Sequence, residues 1–113
     1  MNILLIGCGA YMDQGYACPG EYKCINAVAE KNGEFAKYDN PVVVGFLRCQ
    51  CPGRAVISNI GAVKKNVQID AVHLSNCMVK AIPMCKNHDF DQFKEIVEKK
   101  FGVKCVLGTH AYD

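Results

Sequence analysis

The sequence predicts an α/β fold: a three-layer sandwich around a four-stranded parallel sheet, connected βαβαβαβ. Three observations carry this expectation. Four short runs are apolar without alternation, as strands covered on both faces are. Segments with apolar residues at helical spacing lie between those runs. The two patterns alternate along the whole chain, and right-handed crossovers then place the strands side by side and parallel. A flavodoxin-like order, 2-1-3-4, is expected for four such strands.

The first strand is Asn2–Gly7 (NILLIG). Its apolar run of four residues, with no early Lys or Arg, is too short for a secretory signal or a bilayer span. A cytoplasmic location is therefore expected. In the first helix Tyr22, Ile25, Val28 and Ala29 share a face, and Gly33 is the predicted stop. The second strand is Pro41–Leu47 (PVVVGFL), rich in β-branched residues. Val56, Ile57, Ile60 and Val63 form the apolar face of the second helix. The third strand is Asp70–Ser75 (DAVHLS). The third helix has the clearest stripe, Phe90, Phe93, Val97 and Phe101. Asp89 stands at its start, Lys99 and Lys100 in its last turn, and Gly102 just beyond. The fourth strand is Val103–Gly108 (VKCVLG).

The chain has 113 residues, enough for one domain with a real core. Half of it is hydrophobic and 21% is charged, which excludes disorder and a membrane-spanning bulk. A net charge of +2 provides no footprint for nucleic acid or for an anionic membrane, and neither partner is expected.

The eight cysteines are the anomaly. In a reducing compartment a dense cysteine set points to metal, a cluster or thiol chemistry rather than structural disulfides. Their placement sharpens the point. Cys8 follows the first strand, Cys49 and Cys51 the second, and Cys77 the third; His110 follows the fourth. The C-terminal ends of parallel strands share one edge, where ligands of such sheets bind. Cys18, Cys24 and Cys85 lie in the loops leading from that edge to the helices. Seven of the eight cysteines are thus expected at one rim. Cys105 falls mid-strand and reads as a buried, inert thiol.

These residues resemble the CGGC-domain family, small proteins rich in Cys and His that are proposed to bind metal. The carriers are Cys18-Pro19-Gly20, Cys24, the segment from Gly45 through Cys49-Gln50-Cys51-Pro52-Gly53, His73-Leu74-Ser75-Asn76-Cys77, Cys85 and Gly108-Thr109-His110. The likeness covers nearly the whole chain and implies a single metal-binding domain over residues 1–113. It departs at one point: Gln50 alone separates Cys49 from Cys51, where the family's namesake has two glycines.

The expected function is a thiolate-rich metal centre of Cys8, Cys18, Cys24, Cys49, Cys51, Cys77 and Cys85, with His110 as a further ligand. Zinc takes four ligands, fewer than this set offers, and the surplus equally suits an iron–sulfur cluster. A redox or electron-transfer role with a partner protein is compatible with either. The alternative is a thiol–disulfide oxidoreductase using Cys49/Cys51 or Cys18/Cys24, with Arg48 and Lys80 favouring thiolate at the rim. Other residues have plainer readings: His73 as a satisfied core or sheet-edge histidine, His88 as a surface or capping residue, and Met78 and Met84 as packing.

Two further chemistries are excluded. An oxyanion-handling loop after the first strand needs an Arg to hold the anion, and Gln14 stands six residues past Cys8. A dinucleotide turn needs a third glycine where Met12 stands, although Gly7, Gly9 and Gly15 are near.

Overall fold

The computed structural model describes residues 1–9, 23–49, 54–75 and 90–109. Strands β1 (Asn2–Cys8), β2 (Val42–Cys49), β3 (Ala71–Leu74) and β4 (Lys104–Leu107) form a parallel sheet in the order β2-β1-β3-β4. Helices α1 (Lys23–Glu30), α2 (Arg54–Asn66) and α3 (Phe90–Phe101) alternate with them. Both the fold class and the 2-1-3-4 order are those the sequence predicts.

The sheet separates two apolar layers. Leu4, Ile6, Val72, Leu74 and Cys105 face Val56 and Ile60 of α2 and Phe93 and Val97 of α3. On the opposite face, Ile3, Leu5 and Ala71 meet Ala27 and Val28 of α1, together with Phe35 and Tyr38. Strand β1 lies between β2 and β3, so Ile3 through Ile6 are wholly buried. That double coverage is why its sequence does not alternate.

Several boundaries differ from expectation. The β1–β2 ladder continues through Gly7↔Arg48 to Cys8↔Cys49, so these two cysteines end their strands rather than follow them. Helix α1 stops before Gly33. The Asn32 N–H donates to the Ala27 carbonyl at 2.8 Å and the Lys31 N–H to that of Val28 at 3.2 Å. This pair of bonds is a Schellman cap, and it requires a left-handed residue at Lys31, whose φ is 54°. Gly33 instead opens a short 3₁₀ turn, Gly33–Phe35. Helix α3 ends as expected, with Gly102 at φ 65° and its N–H bonded to the Glu98 carbonyl.

A β-bulge sets which side chains share a face. Ile3 pairs with Val43, but Leu4 pairs with Gly45, which leaves Val44 as an extra residue in β2. Beyond the slip Leu47 and Cys49 join the face of Ile6 and Cys8. Gly45 sits at the bulge because nothing larger fits: a Cβ there would lie 2.9 Å from Leu4 Cδ1 and 3.5 Å from Val63 Cγ1.

Candidate functional site

Cys8 and Cys49 are cross-strand register partners at the C-terminal ends of the two adjacent parallel strands. Partners in register point to the same face, and adjacent strands run about 4.8 Å apart. Both thiols belong to the apolar layer between the sheet and helices α2 and α3, at 5% and 4% exposure. Neighbouring Arg48 turns back across the same strand ends, its Nη2 donating to the Gly9 carbonyl at 3.2 Å. The rim thus carries two buried thiols and a guanidinium bonded to the backbone just after β1. Two thiolates from adjacent strands can span one metal with bonds of about 2.3 Å, but a closed site needs further ligands.

Cys24 lies in the first turn of α1. It is buried on the opposite face of the sheet, in the layer of Ile3, Leu5 and Phe35. The sheet therefore stands between Cys24 and the Cys8–Cys49 pair. Among the described residues, no three His, Cys, Asp or Glu side chains group closely enough to hold a metal ion. Cys18, Cys51, Cys77, Cys85 and His110 lie outside the described residues.

Cys105 is the inert thiol that its mid-strand position predicts. It is 1% exposed, and burial, reinforced by the nearby Glu98 carboxylate, pushes its pKa up to about 12 against a smaller opposing effect of Lys94. At that value it stays protonated at any physiological pH and is neither nucleophile nor ready ligand.

His73 is the hydrogen-bonded core residue expected from its strand. Its ring is fully buried and packs against Phe35 at 4.5 Å between centroids, the two planes tilted by 40°. Burial holds its pKa below the usual histidine value, despite the bond to Gly108. Sequence reasoning missed its partner, Tyr38, which comes from the turn after α1 and lies 2.7 Å away. Nothing local to Tyr38 signals the contact. The turn is also tied to the end of β4, because the Glu34 N–H donates to the Thr109 carbonyl at 2.9 Å. Thr109 itself is fully buried, immediately before His110.

No described helix is long and apolar enough to cross a membrane. No solved structure matches the chain. An uncharacterized protein of Methanocaldococcus jannaschii, MJ0582, is 30% identical over 114 residues, covering 97% of this chain and 87% of that one. The sequence profile of the CGGC domain matches residues 2–110, and the chain accordingly belongs to the CGGC domain family.

Proposed function

We propose that this protein is a cytoplasmic metal-binding domain, spanning residues 1–113, with a thiolate-rich centre at the C-terminal rim of its sheet. The observation that carries the reading is the Cys8–Cys49 pair, two buried thiols in register on one face of adjacent strand ends. Membership of a family named for its cysteines supports it. Cys51 and Cys77 follow the same rim in sequence, and with Cys18, Cys24, Cys85 and His110 they are the remaining ligand candidates. Cys24 reaches such a centre only around the end of the sheet, so it ranks behind the pair. Zinc and an iron–sulfur cluster both suit these donors, the latter bringing a redox or electron-transfer role with a partner protein.

The alternative, thiol–disulfide exchange through Cys49/Cys51 or Cys18/Cys24, needs an accessible low-pKa thiol. Cys49 and Cys24 are 4% and 5% exposed, which favours holding a ligand over attacking one.

Metal analysis of anaerobically purified protein, with its visible spectrum, tests the proposal. Iron with acid-labile sulfide and a brown colour identifies a cluster; stoichiometric zinc identifies a closed zinc site. Cys8→Ser and Cys49→Ser are each expected to lose most of the metal, whereas Cys105→Ser retains it. Metal-free protein whose rim thiols all alkylate rapidly would overturn the reading.

A further inference from the structure

Asn32 stands between the end of α1 and the 3₁₀ turn, and Gly33 follows it. No other asparagine in the sequence precedes a glycine. Asparagine is chemically labile, and an Asn-Gly link most of all, because glycine has no Cβ to crowd an attack of its own nitrogen on the side-chain amide.

The local structure leaves both reacting groups available. Asn32 and Gly33 are exposed. Asn32 is extended, at φ −97° and ψ 158°, and its side chain makes no cap bond to the turn that it opens. Its backbone is what holds it: the N–H donates to the Ala27 carbonyl at 2.8 Å, and the carbonyl accepts from the Phe35 N–H at 3.1 Å. The Gly33 N–H has no acceptor among the described residues. For attack, the peptide plane between the two residues must turn until the Gly33 nitrogen faces the Asn32 side chain. Gly33 is at φ 58°, and glycine accepts either sign of φ, so the plane can turn with little movement of its flanks. What the rotation breaks is the bond from the Phe35 N–H to the Asn32 carbonyl.

We propose that Asn32 is a site of spontaneous deamidation and isoaspartate formation. The Gly33 nitrogen bonds to Asn32 Cγ and gives up its proton; the Cγ–Nδ2 bond breaks, and Nδ2 leaves with that proton as ammonia. A five-membered imide then joins the two residues. Water opens it at either carbonyl. Cleavage between Cγ and nitrogen gives aspartate. Cleavage between the main-chain carbonyl carbon and nitrogen gives isoaspartate, with the chain running through Cγ. Either route consumes a water, releases an ammonia and transfers no electrons.

The isoaspartyl link matters because of what the turn holds. It lengthens the main chain by one atom just before Phe35, which is wholly buried, and Tyr38, which is bonded to His73. It also converts the carbonyl that accepts from Phe35 into a carboxylate off the main chain. The Glu34 N–H, bonded to the Thr109 carbonyl at 2.9 Å, lies two residues beyond Asn32. Lengthening the chain here loosens that clasp on the end of β4. Aspartate keeps the chain length and an oxygen acceptor at the cap position, so the clasp survives. None of this involves a rim thiol, and it stands apart from the metal proposal.

The test uses the full chain, incubated at pH 8 and about 37 °C beside a synthetic peptide of residues 29–36. Mass mapping of the tryptic peptide 32–37 follows a gain of about 1 Da, a change in covalent structure that alters charge. An isoaspartyl methyltransferase with labelled S-adenosylmethionine counts the isoaspartate. The folded chain is expected to react within about tenfold of the peptide's rate, since one hydrogen bond is the main restraint. Asn32→Ser, a good cap at an exposed position, should abolish both signals. In the isoaspartyl form hydrogen exchange at the Glu34 and Tyr38 amides should quicken, whereas freshly purified Asn32→Asp keeps their protection. A folded-state rate more than about tenfold below the peptide's, or faster modification at another asparagine, overturns the assignment of the site. Unchanged Glu34 exchange in the isoaspartyl form overturns the loosening.

Discussion

Tyr38 Oη donates a 2.7 Å hydrogen bond to His73 Nε2, and His73 Nδ1 in turn donates to the Gly108 carbonyl at 2.8 Å. The carbonyl can only accept, so the proton is on Nδ1; the neutral ring then has a lone pair on Nε2 for the phenol. One buried ring thereby ties the turn after α1, the centre of β3 and the end of β4. Tyr38→Phe removes the phenol and leaves Nε2 buried without its donor. The expected loss is about 1–3 kcal/mol of unfolding free energy, measured by urea titration at pH 7.5.

The same ring makes stability depend on pH. Burial lowers the folded-state pKa of His73 below its ordinary value. The unfolded chain then binds more protons just below that ordinary value, near 6.5, so stability falls as pH falls through this window. Unfolding curves at pH 7.5 and pH 5.5 should show the loss. A His73→Asn variant, less stable at pH 7.5, should show a smaller difference between the two. An equal difference would assign the acid sensitivity to another group.

Gly45→Ala places a methyl group 2.9 Å from Leu4 Cδ1. Leu4 is wholly buried in the layer that Val63 also joins, so it has little room to turn away. The expected cost is about 1–3 kcal/mol, read as a lower urea midpoint at unchanged slope. A loss under a few tenths would mean that β2 can shift outward at its bulge.

Lys31→Gly acts in the opposite direction. Lys31 closes the α1 cap at φ 54°, is exposed, and belongs to the left-handed region that disfavours side chains. Glycine relieves that strain at the expense of a more flexible unfolded chain. A net gain of about 0.5–1 kcal/mol is expected, measured by thermal unfolding.

Cys105 should resist alkylation in the native state. With its pKa pushed up to about 12, its thiolate fraction is negligible even at pH 8.5. Peptide mass mapping after iodoacetamide treatment should find it unmodified in folded protein and modified after denaturation. Rapid native labelling would show that the β4 edge opens.

Much of the fold was legible because burial writes itself locally. The continuous apolar run of Ile3–Ile6 identifies a strand covered on both sides, and the Phe90–Phe101 stripe identifies the last helix. The mid-strand position of Cys105 was enough to mark it inert, and the apolar flanks of His73 enough to place it in the core. Lys31 was not legible as the end of α1, since a Schellman cap without glycine has no strong sequence mark. Gly33, two residues on, drew the prediction instead.

The sequence by itself determined the sheet, its strand order and the arrival of Cys8 and Cys49 at strand ends. Only the tertiary structure decided that the two share a face. Had the ladder run on unbroken from Ile3↔Val43, with Val44 paired instead of bulged, Cys8 would register with Arg48, and Cys49 would stand out of line with it. Side chains alternate with a period of two, so a one-residue slip reverses every face beyond it. Tyr38 and His73 meet for the same kind of reason: 35 residues separate them, and packing across layers, not local pattern, brings them to 2.7 Å.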